Sequence, residues 1–168
     1  MTGRLVVAGV DGTPAAEPAL LWAAAEAGPG GRLLIVHAWE PIVAYHALYA
    51  RQCAPGDLLE RRLSALRVLD RAAGLVRKTC PGVAVECRLV PGRAETALPA
   101  AAEGADLLVL GSLAQRRGDG RLGAVLLSCL RWPPGCPVVV VPGMPAGGGR
   151  AVSVPAEAVA GPLGGPSL

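Results

Sequence analysis

Between residues 111 and 125 the sequence gathers groups suited to holding an anion. Gly118-Asp119-Gly120-Arg121-Leu122-Gly123 reads G-x-G-x-x-G, with Arg116 and Arg117 just before it and an apolar helical pattern from Leu122 onward. Glycines let a backbone approach an anion closely, and a helix N-terminus presents unpaired N–H groups with a partial positive charge. Guanidinium groups match phosphate oxygens in shape and charge. The segment is not a dinucleotide fingerprint, which follows a strand directly and has an acidic residue about 20 positions on. Here the preceding apolar run ends near Gly111, and the next acid after Asp119 is Glu157. The loop reads either as a local phosphate site or as a solvated surface loop.

Other chemistry is sparse. There is no Gly-x-Ser-x-Gly elbow and no P-loop Gly-Lys-Ser/Thr, and no histidine is placed to activate a nucleophile. His37, at the end of an apolar run, reads as a packed residue, and His46 has no partner identifiable from sequence. The cysteines (53, 80, 87, 129 and 136) form no Cys-x-x-Cys pair, and with two histidines no zinc spacing arises. They are expected to be reduced thiols. Asp11 and Asp119 are the carboxylates that would hold a magnesium ion against bound phosphates, since Mg²⁺ often takes only one or two protein carboxylates.

These residues must be positioned by short elements. Arg4–Gly9, Leu33–His37, Val83–Leu89, Asp106–Leu110 and Pro137–Val141 are apolar runs expected to be strands. Thr13 is the expected N-cap of a first helix with Pro14 at its first position, and Ala16, Leu20, Ala23 and Ala27 recur at helical spacing. Trp39–Gly56 reads as a long loop. Asp57 is the expected cap of a second helix, with Leu59, Leu63, Leu66, Ala73 and Val76 as its buried stripe and its arginines on a solvated face. A short third helix fits Thr96 as N-cap, which puts Pro99 among the N–H groups that lack partners anyway. Leu122–Arg131 is a fourth helix. The order is β-α-β-α-β-α-β-α-β. Strands that are continuous apolar runs are buried on both faces, which calls for a parallel sheet with helices on each side. Ligands of such sheets bind beyond the carboxyl ends of the strands, so the candidate site comprises Val10–Thr13, His37–Trp39 and Gly111–Ala124.

Composition narrows the function classes. Of the 168 residues 52% are apolar, but there is no Phe, and Ala, Val, Leu and Gly supply the core. The net charge of +3 is uneven, with two arginines against four acids in residues 1–50 and fourteen basic residues against eight acids in 51–150. A nucleic-acid surface needs a denser basic face or stacking aromatics, so none is expected. The apolar runs are far short of the roughly 18 residues a spanning helix needs, and Asp11 interrupts the first of them, so the protein is expected to be cytoplasmic. From Gly143 on, 11 of 26 residues are Gly or Pro, and 143–168 reads as a disordered tail following a domain of residues 1–142.

The blocks Leu5–Pro14, Trp22–Ala27, Ile35–Trp39, Gly104–Ser112 and Cys136–Val141 resemble, in order, those of the universal stress protein family. Asp11-Gly12-Thr13-Pro14 is similar to the family's D-G-S-P turn, and Ala105-Asp106-Leu107-Leu108-Val109-Leu110-Gly111-Ser112 to its A-D-L-L-V-V-G-S signature. The resemblance implies an open, Rossmann-like three-layer α/β/α sandwich with strand order 3-2-1-4-5. It implies a stress-response module, not a dedicated enzyme, that senses ATP through G-x-x-G, nine residues and G-[S/T]. Carried onto this chain, Asp11 would face ribose and adenine. Val10 and Ala38 would line the adenine pocket. Gly111 would begin the phosphate loop, and Gly123 and Val125 would meet the phosphates, with Mg²⁺ present only with ATP. The family also implies a homodimer through the last strand, Val138–Val141. The chain departs from the pattern at Ala114, where the second glycine stands, at Ala124, where the Ser or Thr stands, and in a loop one residue shorter. Arg116, Arg117 and Arg121 are placed to replace lost donors. The alternative is a degenerate member that binds no nucleotide and acts through dimerisation and protein contacts.

Overall fold

The computed structural model describes residues 3–41, 55–112 and 123–143. Five parallel strands form one sheet in the order β3-β2-β1-β4-β5: β1 Leu5–Gly9, β2 Arg32–Trp39, β3 Ala84–Pro91, β4 Leu107–Ser112 and β5 Val138–Pro142. A single 3-10 turn, Pro14–Ala16, leads into α1, Glu17–Ala27; the other helices are α2 Pro55–Thr79, α3 Ala94–Ala101 and α4 Ala124–Arg131. From β1 the chain winds outward through β2 and β3, then returns across the sheet to β4 and β5. The order therefore reverses between β1 and β4. No helix among the described residues is long and apolar enough to cross a membrane.

The strand runs are apolar on consecutive positions because each strand feeds two cores. Val6, Ala8, Leu33, Ile35 and Val109 face α1 and α2, whereas Val7, Leu34, Val36, Leu108 and Leu110 face α3 and α4. Side chains alternate between faces with a period of two. Without a Phe, close approach of alanine-rich α1 fills the first core: Ala19, Leu20, Ala23, Ala24 and Ala27 are all buried. Gly28 ends α1 at φ +67°, with its N–H on the Ala24 carbonyl at 3.2 Å.

Several expectations are corrected. Asp57 is not at the N-cap position of α2, which already begins at Pro55. The buried stripe of α2 is Ala65, Leu69, Ala72, Ala73 and Val76, whereas Leu59, Leu63 and Leu66 are 60%, 43% and 42% exposed. A 25-residue helix is about 37 Å long, longer than the ~27 Å of an eight-residue strand, so its first turns extend past the sheet. Thr96 is not an N-cap: α3 starts at Ala94 behind Arg93, and Pro99 lies well inside it. The Thr96 hydroxyl instead donates to the Arg93 carbonyl at 3.0 Å. β2 extends to Trp39, so the loop expected from there begins later. Residues 42–54, Leu122 and the tail from 144 onward lie outside the described residues.

Candidate functional site

The carboxyl ends of β1, β2 and β4 open onto a cleft of about 550 Å³ at the point where strand order reverses. That volume is in the range of small-molecule sites. Val10, just beyond β1, donates its N–H to the Val36 carbonyl at 2.9 Å. The chain then turns through Asp11 and Gly12, and Gly12 takes φ +80°, a conformation costly for other residues. One carboxylate oxygen of Asp11 holds this turn. Its Oδ1 accepts the Thr13 N–H at 2.9 Å and the Thr13 hydroxyl at 2.7 Å. Thr13 does stand at the N-cap before Pro14, but its hydroxyl serves Asp11 and makes no cap bond. The second carboxylate oxygen, Oδ2, has no hydrogen-bond partner among the described residues.

On β2, His37 and Ala38 line the same cleft. The His37 Nδ1 lies 2.7 Å from the Val10 carbonyl. A carbonyl only accepts, so Nδ1 carries the proton. In a parallel ladder a residue's N–H and C=O point to one side, alternating along the strand. Val36 uses that side to reach Val10. Ala38, two residues on, therefore presents its N–H and C=O to the same side, beyond the end of β1. A backbone donor and acceptor, with no partner on that side among the described residues, stand side by side at the cleft wall.

Gly111 and Ser112 close β4, and Gly123, Ala124 and Val125 open α4 on the opposite wall. A Cβ at Gly111 would stand 3.4 Å from the Ala15 carbonyl and the Ala16 Cα, at the near limit of ordinary contact, so β4 packs closely on the turn before α1. Gly123 is the N-cap of α4, and a Cβ there would meet nothing within 4 Å. It is glycine for no packing reason among the described residues, and it borders open cleft. The first intrahelical bond of α4 is Leu127 N–H to the Gly123 carbonyl, so the N–H groups before it are orphans of the first turn.

The structure thus brings Val10, Asp11, Ala38, Gly111, Gly123, Ala124 and Val125 to one cleft. Ala114, Arg116, Arg117 and Arg121 lie outside the described residues. Sequence reasoning did not find Ala94 and Leu98 of α3 or Val140 of β5, which also line it. No motif marks them, because they enter through packing. Among the described lining residues the titratable groups are Asp11 and His37. No cluster of three metal-ligating side chains occurs among the described residues. A metal here would depend on Asp11 and on a ligand's own oxygens.

An open parallel sheet with a cleft at its switch point is the architecture of doubly wound α/β ligand-binding domains. The family model described as the universal stress protein family matches residues 3–142, and the chain belongs to that family. No curated protein sequence matches the chain. Among solved structures, a universal stress protein in complex with cAMP is 23% identical at TM-score 0.59, over 84% of this chain and 98% of that one. A universal stress protein family member from Burkholderia pseudomallei is 28% identical at TM-score 0.57, over 83% of this chain and 96% of that one. A family protein from Arabidopsis thaliana, solved with AMP bound, is 19% identical at TM-score 0.56, over 84% and 92%. These structures share the fold described above.

Proposed function

We propose that the protein is an adenine-nucleotide-sensing stress-response module of the cytoplasm with no dedicated catalysis. The observation that carries this reading is the Ala38 backbone pair at the cleft wall. An N–H and a C=O side by side complement the ring nitrogen and exocyclic amine of adenine, and they mismatch the corresponding edge of guanine. Apolar Val10 and Leu98 flank the same space. The Asp11 Oδ2, without a partner among the described residues, suits ribose hydroxyls, and the orphan N–H groups of α4 suit phosphate. The cAMP and AMP complexes of similar folds support an adenine ligand. With ATP, Asp11 is the cleft's carboxylate for a Mg²⁺ held mainly by the phosphates.

Dimerisation belongs to the same reading. β5 is an edge strand, and an open valine edge is a template for pairing with another chain. Pairing with a second copy of this chain covers it.

A second reading, a member that binds no nucleotide and works through protein contacts, is favoured by Ala124, which lacks the hydroxyl of the family's Ser or Thr. Thermal unfolding with AMP, ATP–Mg²⁺ and GTP separates the two. A ligand at 100 times its Kd adds ~2.7 kcal/mol, a rise of several degrees for a chain of this size. A rise with adenine nucleotides and none with GTP supports sensing. No rise with any nucleotide favours the second reading. Phosphate release from ATP–Mg²⁺ above the buffer rate would overturn the absence of catalysis.

A further inference from the structure

On the α1–α2 face of the sheet lies a separate cavity of about 120 Å³. Leu20 of α1 and Val68 and Leu75 of α2 form its apolar wall. Gly12 keeps it open toward the 11–13 turn: a Cβ there would come within 2.9 Å of the Val68 Cγ2. At the mouth stand Glu17, the first residue of α1, and Arg71 of α2. Both are exposed, and neither forms an ion pair with another described residue. Val10, Thr13 and Ala16 contribute to this cavity and to the larger cleft alike, so the two lie on opposite sides of one short turn.

We propose that this cavity is a second ligand site, which takes an aliphatic α-amino acid of leucine size. An apolar cavity of ~150 Å³ stays dry and accepts six carbons as benzene. This pocket is half open to solvent, and its 120 Å³ has room for the four carbons of an isobutyl side chain. The mouth selects the rest of the molecule. It offers one carboxylate and one guanidinium, each without a described partner, and guanidinium pairs well with a ligand carboxylate. A zwitterion places its ammonium by Glu17 and its carboxylate by Arg71. A fatty acid of the same tail meets Glu17 as a like charge, and an alkylamine meets Arg71 as one. A nucleotide is too large for the space.

The test is methyl-detected NMR of the full chain titrated with L-leucine, with glycine, 4-methylpentanoate and isopentylamine as comparison ligands. Saturable shifts of the Leu20, Val68 and Leu75 methyls are expected with leucine, at a Kd on the order of 1 mM for so few atoms. Glycine, lacking the side chain, leaves them unmoved. Arg71→Gln, on the exposed rim, weakens leucine about tenfold, and Ala72→Met fills the cavity and abolishes the shifts. AMP does not displace leucine, so the result is independent of the nucleotide reading. Absence of saturable shifts with leucine overturns the proposal. So does equal binding of 4-methylpentanoate, or unchanged affinity in Arg71→Gln, and these arms decide even if Ala72→Met does not fold.

Discussion

The Ser128 hydroxyl of α4 donates to the Glu95 carbonyl of α3 at 2.7 Å. Glu95 is the residue whose carbonyl an i→i−4 helix would pair with residue 99, and residue 99 is a proline. Pro99 has no N–H, and its ring pushes that carbonyl outward. Ser128 supplies the missing donor from the neighbouring helix. The same bond ties α4, whose first turn borders the cleft, to α3. Ser128→Ala is expected to cost ~1–2 kcal/mol by leaving a partly buried acceptor unpaired, lowering Tm by a few degrees. Pro99→Ala restores the internal donor, so in that background Ser128→Ala is expected to cost much less. A double-mutant cycle by thermal unfolding measures the coupling.

His37 holds its Nδ1 proton on the Val10 carbonyl at 2.7 Å. This bond takes the place of a ladder bond beyond the end of β1, and it leaves the Ala38 pair to the cleft. Nitrogen-15 NMR of the neutral ring is expected to show the Nδ1–H tautomer, in contrast to the Nε2–H form that predominates in unconstrained histidine. His37→Leu is expected to cost ~1 kcal/mol of stability and to weaken AMP binding. A stable variant with unchanged AMP affinity would separate His37 from the site.

Burial pushes the thiols of Cys87, Cys129 and Cys136 above their ordinary value of 9.0. For Cys87 the nearby Arg77 partly offsets that rise, while Asp70 and Glu86 add to it. A folded thiol with a raised value keeps its proton after the unfolded thiol has lost it. The native state then binds more protons than the unfolded chain, so stability falls as pH rises. The thiol contribution is complete below 9.0 and is lost progressively above it. The alkaline limb of a Tm-against-pH profile is expected to be shallower in Cys129→Ala than in the native chain. Parallel limbs would remove Cys129 from the alkaline loss.

The strands were legible because each alternates between two cores, as Val6 and Val7 do, and a doubly buried strand leaves an unbroken apolar run. The strand ends border the cleft, so the placement of Asp11, Ala38 and Gly111 on its wall was legible from the pattern of runs and the family resemblance. Pro99 was misplaced because the donor that makes it tolerable, Ser128, lies in a different helix. Leu59, Leu63 and Leu66 have helical spacing, but spacing alone does not say which face of a helix meets the sheet, and here it is the face of Ala65, Leu69, Ala72 and Val76. Ala94, Leu98 and Val140 reach the cleft only through the packing of α3 and β5.

The Leu108 N–H bonds the Pro137 carbonyl and the Gly143 N–H bonds the Ser112 carbonyl. The odd-numbered residues of β5 therefore face β4, and Val138 and Val140 turn their N–H and C=O to the open edge. Val140→Pro removes one edge donor without touching the β4 ladder, and proline is tolerated on edge strands. Light scattering is expected to show a dimer for the native chain and a monomer with unchanged circular dichroism for the variant. A native monomer at high concentration would rule out edge pairing.

Ala124 opens α4 at the cleft. If phosphate lies against that turn, Ala124→Ser adds a hydroxyl beside the orphan N–H groups at a helix position where serine costs little. A hydrogen bond to a charged group contributes ~1.5–3 kcal/mol, so ATP affinity is expected to rise tenfold or more. AMP, whose single phosphate lies nearer the ribose, is expected to gain less, and Asp11→Ala to weaken both. Calorimetric titration of each nucleotide into the two variants checks this. Equal gains for ATP and AMP would place the first phosphate at residue 124. No gain for either would mean that the phosphates leave the cleft by another wall.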